Sequence, residues 1–438
     1  MEKETLPDET VHQLIALLKD PLFCSLRRLV DEHPIPWAEA SKMQTPDNIT
    51  QKQTWEILNT LRRQTAIELP FHDGDGRCGW YSPTHSILSD LDNIDRRCHE
   101  NSWLDLAIKS RNTTHFLIEA HVDDAITTVR EDGLRIGYEK AREVLLGERK
   151  PDNLEELLLL NGHQAIWDLE QYINRPCTPE LIFEIYEKVS RGIGDQAPLL
   201  PPQKSRLWKR KRMDSATALT LVSKIVNQNG IENYTGHPLL LAMAIRHLFM
   251  STFPLPAWNG VMSSLVMKLL FKKSRLPVLA FVPIIKTCQE WERGTIHPPA
   301  VMASVFDSEV LTDDEVDYTI YVGVVTQLVK KKLDEVEGEL KRVIKRDEAF
   351  SQALRENIAI NHRQRTVLQL ALNNPEAVFR IESHQKTHQV AYATARADLM
   401  KLADLGFLRC LRKKRAFEFH VTPGLRQLLM GQTSGGNQ

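Results

Sequence analysis

The sequence predicts a mainly α-helical protein in which β-structure is confined to short hairpins. Long segments, such as residues 84–172, repeat apolar residues at helical spacing and show little strand character. Alternating apolar residues flank Asp73-Gly74-Asp75-Gly76, which is a hairpin signal close to the N-terminus. Near the C-terminus, two strand-like segments follow three helical ones. These observations predict a helical body with a helical and hairpin module before it and a small mixed module after it.

Composition narrows the class of protein. The 438 residues suggest two or three domains, and 42% hydrophobic with 26% charged residues predicts a folded chain. A formal net charge of −1 provides no overall field for nucleic acid, so any DNA contact must come from a local patch. The six cysteines show no CxxC spacing, which argues against a zinc site or a disulfide framework. With no signal peptide and no apolar run long enough for a bilayer, we expect a cytoplasmic protein with no membrane contact.

The elements before the C-terminal module follow from apolar periodicity, helix caps and breaks. Asp20-Pro21 separates the first two helices, and Thr178 is the expected N-cap of a later one. The pattern predicts helices over 9–19, 22–31, 50–65 and 178–192, a buried leucine-rich run over 154–160, and two helices within 286–346, the second from Asp314 to Arg346.

The C-terminal module has the pattern of a winged helix-turn-helix. Its third helix, Ala391 to Leu405, is stopped by Gly406 and buries apolar residues at helical spacing. The pattern predicts earlier helices over Asn361 to Leu372 and 380–389, and strands over Phe407 to Leu411 and Ala416 to Val421. In the DNA-binding version of this fold, the third helix enters the major groove and the basic tip between the strands meets phosphates. Winged helices also dock proteins, so both partners stay open. The DNA-binding candidates are Tyr392, Thr394, Arg396, Lys401, Arg412, Lys413, Lys414 and Arg415.

The central segment runs from His237 to Leu276. Two apolar helical runs flank a loop over Thr252 to Trp258, and the second run opens with Asn259-Gly260. The free N–H groups and positive dipole end of a helix N-terminus favour an anion. Asn259 and Gly260 are therefore candidates for binding a nucleotide or another anion. His237 and His247 are expected to be buried or bonded to partners rather than catalytic.

This segment resembles the core motif of the Fic (Fido) family of helical AMP-transferring proteins, which reads His-Pro-Phe-x-Asp/Glu-Gly-Asn-Gly-Arg-x-x-Arg. Residues 253–264 keep the proline and the Asn-Gly of that motif. The resemblance places Phe253 at the general base and Ala257 at the metal-holding carboxylate. It places Trp258 at a phosphate-approaching glycine, and Val261 and Ser264 at the two phosphate-binding arginines. It therefore implies no catalytic residues, no metal site and no expected cofactor.

The same resemblance suggests two further features. Many Fic proteins carry an inhibitory helix whose glutamate pairs with the second arginine, and Glu119 falls at that glutamate. Because Ser264 replaces the arginine, a surface or helix-pairing glutamate is the competing interpretation. The family also places a β-hairpin flap after residue 192, where a basic run from Lys204 to Arg212 surrounds Trp208. This run could contact a nucleic-acid phosphate backbone, and the competing interpretation is a solvated basic loop.

The predicted domains are an N-terminal α/β-hairpin module over 1–100, a Fic-like helical domain over 101–345, a winged helix-turn-helix over 355–428 and a disordered tail over 429–438. The favoured hypothesis is a catalytically inactive or strongly impaired Fic-like protein that regulates by binding DNA, a protein, or both. The alternative is a divergent nucleotidyltransferase that uses ATP and magnesium at a non-standard site. A defence-system or antitoxin-like subunit and a homo-oligomer are both compatible with the sequence.

Overall fold

The chain folds into two compact units. The computed structural model describes residues 8–47, 49–72, 77–109, 114–193, 213–227, 236–294, 309–312, 315–356, 360–373, 377–388, 390–413, 416–423 and 425. The N-terminal unit comprises Met1–Ser110 and Thr114–Glu337, and the C-terminal unit comprises Arg111–Thr113 and Gly338–Gln438. The protein is mainly helical, as predicted. The predicted flap and the basic run around Trp208 lie outside the described residues.

Helices form most of the N-terminal unit. Short 3-10 helices over Leu169–Tyr172 and Pro277–Phe281 supplement them. The α-helices are α1 (Asp8–Leu18), α2 (Pro21–Glu32), α3 (Trp37–Ala40), α4 (Gln51–Gln64), α5 (His85–Cys98), α6 (Trp103–Lys109), α7 (Thr114–Glu131), α8 (Tyr138–Leu145), α9 (Leu154–Asp168), α10 (Pro179–Val189), α11 (Ser215–Asn227), α12 (Pro238–Thr252), α13 (Asn259–Lys273), α14 (Ile284–Glu292) and the start of α15 (Thr319–Glu356).

Local caps explain several of the helix boundaries. Asp20 is the N-cap of α2 and accepts hydrogen bonds from the backbone N–H groups of Leu22 and Phe23, so the helix begins at Pro21. Thr178 caps α10 through Leu181 N, as the sequence predicted. The leucine-rich run also lies in a helix, α9, with Leu158 and Leu159 buried. None of the helices within the described ranges is long and apolar enough to cross a bilayer.

The N-terminal unit contains a four-stranded sheet with the order β1-β2-β4-β3. Strands β1 (Ile67–His72) and β2 (Cys78–Tyr81) form the predicted hairpin. The prediction that residues 286–346 form only two helices, the second from Asp314, is wrong, because β3 (Glu309–Thr312) and β4 (Glu315–Asp317) precede α15. β4 pairs in parallel with β2. An ion pair at 2.8 Å between Asp317 and Arg62 of α4 is buried beside this strand pair. Both contacts join distant parts of the chain, so the local spacing of apolar residues could not predict them.

Helix α13 is the centre of the N-terminal unit. Every residue from Asn259 to Lys272 is buried, and the helix packs against α7, α9, α11 and α12. Apolar residues lie on all sides of α13, and a helix of this kind is stable where protein surrounds it. Its two buried lysines are paired: Lys268 Nζ lies 3.2 Å from Asp124 Oδ2, and Lys272 bonds to Glu170. The segment identified as central in the sequence is therefore also central in the fold.

The C-terminal unit follows the order helix, strand, two helices and two strands. Its sheet has the order β5-β7-β6 with antiparallel pairs. Strand β5 was not predicted from the sequence, whereas the bounds of the three helices and the two later strands are confirmed to within two residues. The fully buried part of the core consists of Leu368, Ala395, Leu399, Leu402, Phe407 and Phe419. The elements are α16 (His362–Asn373), β5 (Val378–Arg380), α17 (Ile381–His388), α18 (Tyr392–Asp404), β6 (Leu408–Lys413) and β7 (Ala416–Val421).

Candidate functional site

The loop between α12 and α13 begins and ends with bulky residues in the left-handed backbone conformation. Phe253, which ends α12, has φ 46°, and Trp258, which precedes α13, has φ 59°. Residues other than glycine rarely adopt this backbone conformation, whereas glycine adopts it without a steric penalty. Trp258 is also buried, and its indole N–H has no hydrogen-bond acceptor among the described residues. The loop therefore holds an indole where its backbone geometry suits a glycine.

Asn259 closes this loop. Its side-chain oxygen accepts a hydrogen bond from Leu255 N at 3.0 Å, and its side-chain nitrogen donates one to Leu255 O at 3.0 Å. Both polar atoms of the amide are thereby satisfied inside the loop. The side chain of Asn259 holds the loop in its conformation and faces no free anion position.

An internal carboxylate occupies the N-terminus of α13. Asp132, the residue after α7, accepts hydrogen bonds from Gly260 N at 2.8 Å and from Val261 N at 3.0 Å. It is only 6% exposed. Burial raises the pKa of Asp132 to about 7, against the lowering effect of the two backbone hydrogen bonds. The two N–H groups that a phosphate would bind at this helix start are satisfied from within the chain.

A buried ion pair adjoins Asp132. Glu131, the last residue of α7, receives two hydrogen bonds from Arg246 of α12, at 2.7 and 2.5 Å. Gln289 of α14 donates a further hydrogen bond to the same carboxylate. Glu131 is 7% exposed and Arg246 13% exposed. The end of α7 is therefore tied to α12, α13 and α14 by two consecutive acidic residues.

Gly260 allows α7 to approach α13 closely. A Cβ atom at this position would lie 2.7 Å from the backbone oxygen of Thr128 and 2.8 Å from Glu131 Cβ. Real Cβ contacts are longer than this, and the first partner is backbone that cannot rotate away. The Asn-Gly pair of the sequence motif thus has a packing role in this structure: one residue ties the loop and the other admits a neighbouring helix.

Val261 and Ser264 both face a small cavity rather than an open cleft. The cavity has a volume of about 20 Å³, which suits roughly one water molecule, and lies between α7, α9 and α13. His163 and Lys268 also line it. Burial lowers the pKa of His163 to about 4, and the positive charge of Lys268 adds to the shift. Val261 and Ser264, where the sequence resemblance expects arginines, therefore line a small cavity shared with polar and apolar side chains.

The remaining predicted positions have separate locations. Phe253 and Ala257 are partly buried in the loop. Glu119 lies within α7, but its side chain is outside the described residues. His237 caps α12 through Leu239 N, and its Nε2 lies 2.9 Å from Asp95 Oδ1, which confirms a histidine bonded to partners. His247 is partly buried within α12.

In the C-terminal unit, the structure brings two of the predicted basic residues together. The guanidinium groups of Arg396, on α18, and Arg412, on β6, lie 5.6 and 5.9 Å from the ring centre of Phe417 on β7. We call these three residues the arginine–phenylalanine patch. Tyr392 is 49% exposed at the start of α18. Thr394 is partly exposed and Lys401 exposed. The side chain of Lys413, and Lys414 and Arg415, lie outside the described residues.

Sequence reasoning missed a buried polar contact on α18. Asp398 of α18 is buried and receives hydrogen bonds from Arg363 and Asn361, both at 2.6 Å. The side chain of Gln364 bonds to its backbone oxygen at 3.1 Å. The sequence feature that could have indicated this contact is Asp398 itself, a charged residue directly before Leu399 in the apolar stripe of α18.

Comparison with known proteins adds no family assignment. No protein-family model matches the chain, and no curated protein matches it in sequence. Among the described residues, no three His, Cys, Asp or Glu side chains form a group that could hold a metal ion.

Proposed function

We propose that this chain is a Fic-like protein that does not transfer AMP and that acts as a regulator by binding DNA through its C-terminal unit. The observation that carries the first part is the position of Asp132 on Gly260 N and Val261 N. A nucleotide phosphate at this helix start would have to displace a buried carboxylate that already matches both N–H groups.

The side chains around the loop support the loss of transfer activity. Phe253 and Ala257 offer neither a general base nor a metal ligand. Removing a general base typically lowers a rate by about 10²–10⁴, and removing one charge-stabilising group by about 10²–10³. These effects do not simply add. Their combination with a filled anion position favours a protein that uses the helical body as a scaffold.

The arrangement of the C-terminal unit supports DNA binding. The element order and the β5-β7-β6 strand order are those expected of a winged helix, in which α18 enters the major groove. The arginine–phenylalanine patch joins α18 to β6, so helix and wing would present positive charge on one surface. Tyr392 and Thr394 stand at the start of α18, where base contacts are usual in this fold. Docking of a partner protein on this surface is the competing hypothesis.

Calorimetric titration with ATP, with and without magnesium, tests the first part. We expect no binding by the full chain. Micromolar binding that depends on magnesium would contradict the proposal and would favour the divergent nucleotidyltransferase. Asp132→Asn provides a second measurement, because weakening the internal carboxylate should not create metal-assisted binding while Phe253 and Ala257 remain.

Selection of duplex DNA from a random pool by the full chain, followed by fluorescence anisotropy, tests the second part. If both guanidiniums contact phosphates, Arg396→Ala and Arg412→Ala should each weaken binding and lower the slope of log affinity against log salt by about 0.9. Arg409→Ala is the matched control. Arg409 is exposed on β6 and lies opposite His420 in the strand register. Because successive side chains alternate along a strand, it is on the other face of the sheet from Arg412 and Phe417. Failure to select any duplex, or equal effects of all three substitutions, would contradict the DNA proposal.

A further inference from the structure

Three histidines meet where α16 and α17 adjoin α18. His384 is 6% exposed, and its Nε2 lies 3.3 Å from Asp398 Oδ2. The ring of His388, one turn later on α17, is centred 4.6 Å from the ring of His384. The ring of His362, at the start of α16, is centred 6.4 Å from that of His388. We call these three residues the histidine cluster.

The negative charge available to the cluster is already paired. Arg363 Nε and a second nitrogen of the same guanidinium lie 2.6 and 3.3 Å from the two carboxylate oxygens of Asp398. Asn361 bonds to the same carboxylate. The nearby strand β5 contributes Arg380, but this residue is paired with Glu418 at 2.8 Å. Among the residues that the structure describes, each proton added to the histidine cluster would therefore place a cation near Arg363, and the carboxylate that acts on His384 is the already paired Asp398.

The pKa shifts of His384 and Asp398 agree with this arrangement of charges. Burial lowers the pKa of His384; the hydrogen bond to Asp398 opposes this shift, and His388 and Arg363 reinforce it. Burial works to raise the pKa of Asp398, but the hydrogen bonds from Arg363, Asn361 and His384 together lower it. Near neutral pH the favoured state is a neutral His384 beside an ionised Asp398.

We propose that the histidine cluster is a proton-operated latch, which holds α17 against α18 near neutral pH and releases it in mildly acidic conditions. An exposed histidine takes up its proton near pH 6.5. When α17 is released, His384 binds a proton more readily than it does when packed. The stability of the α17–α18 contact is therefore fully present above about pH 6.5 and is lost as the pH falls below that value.

Release of α17 would alter the support of α18, which carries Arg396 of the arginine–phenylalanine patch. Asp398 lies two residues from Arg396 on the same helix. The inference concerns the packing of three helices and does not require that the surface bind DNA. It can therefore hold or fail independently of the proposed function.

Hydrogen exchange of the full chain, followed by mass spectrometry at pH 7.5 and 5.5, tests the latch. Exchange times are scaled for the known effect of pH on chemical exchange. Since pH 5.5 lies about one unit below the pKa of an exposed histidine, and protonation of one released histidine shifts the equilibrium by up to about tenfold per pH unit, we expect peptides within 381–404 to open about tenfold more at pH 5.5. Peptides from α9 and α13 should keep their protection. Asp398 stays ionised at both pH values, because its pKa is lowered.

His388→Gln should reduce the acid effect, because the ring of His388 lies 4.6 Å from that of His384 and helps to lower the pKa of His384. His420→Gln is the control: His420 lies in the same unit, on β7, 3.7 Å from Glu418, and should leave the acid effect unchanged. His384→Gln should abolish the effect if the variant folds, and His388→Gln carries the test if it does not. Equal protection at both pH values, uniform loss across the chain, or equal effects of His388→Gln and His420→Gln would overturn the proposal.

Discussion

Asp132 Oδ1 lies 2.8 Å from Gly260 N, across 128 positions of sequence. This hydrogen bond, with its neighbour to Val261 N, attaches the end of α7 to the start of α13. It places an acceptor on the N–H groups that an exposed helix start would offer to a ligand. The contact is both structural, because it joins two central helices, and functional, because it closes the anion position that the sequence predicts.

Asp132→Ala should destabilise the N-terminal unit by about 1–3 kcal/mol, because it leaves two buried N–H groups without an acceptor. All eight tryptophans lie in this unit, so tryptophan fluorescence during urea unfolding reports on it directly. Asp92→Ala is a suitable control, because Asp92 is exposed and forms a surface ion pair with Arg96 one turn later. If the two variants shifted the midpoint equally, Asp132 would not hold α7 to α13.

Gly260→Ala should cost about 3 kcal/mol, at the upper end of the usual penalty for overpacking. The added methyl group meets Thr128 O and Glu131 Cβ, so α7 must move away and weaken the Asp132 contact. Gly137→Ala is the matched glycine control: it has φ −79° and no atom within 4 Å of the added carbon. Its cost should stay below about 1 kcal/mol. A small effect at Gly260 would mean that α7 and α13 are not in close contact.

Arg246→Met should destabilise the same unit by about 3–5 kcal/mol, because Glu131 would remain buried without its cation. The double variant Glu131→Gln with Arg246→Met removes both charges. It should recover a large part of that loss, since a buried ion pair adds little net stability over neutral partners. A double-mutant cycle by urea unfolding measures the difference. Additive effects would argue against direct coupling between these two residues.

His163 should make the N-terminal unit sensitive to acid. Its pKa is lowered to about 4 in the folded chain, so the unfolded chain binds the proton more readily below pH 6.5. Its contribution to stability is therefore complete above pH 6.5 and decreases by at most about 1.4 kcal/mol per pH unit between 6.5 and 4. His163→Gln should remove this part of the slope. The check is the difference between the two stability curves from pH 7.5 to 5, in which all other titrations cancel. Parallel curves would show that His163 is not buried in its neutral form.

Local patterns were sufficient for most helices of the fold. The side chains of Asp20 and Thr178 cap the starts of α2 and α10, and the ring of Pro21 suits the first position of α2. Gly406, with φ 78°, follows the end of α18. Helical spacing of apolar residues also predicted the burial of Ala395, Leu399 and Leu402, whereas Leu405, predicted with them, is only partly buried. These features depend on contacts within a few residues, and such contacts can be read from the sequence.

The misplaced elements depend on distant partners. β4 is a strand because it pairs with β2 and because Asp317 binds Arg62, more than 200 residues earlier in the chain. Without those partners, residues 315–317 resemble the start of the charged helix that follows. β5 was missed for the same reason, since its three residues gain their strand character from pairing with β7.

For the candidate site, the sequence by itself determined which chemical groups the loop lacks, because residue identity decides whether an imidazole, carboxylate or guanidinium is present. It also determined the two helices and the Asn-Gly start of the second, because these follow from local backbone preferences. Only the tertiary structure decided that Asp132 fills the N-terminus of α13, that Arg396 and Arg412 share Phe417, and that His384 contacts Asp398 within a cluster of three histidines. These contacts join residues from separate elements, and their free energy arises from burial and pairing that exist only after the chain has packed.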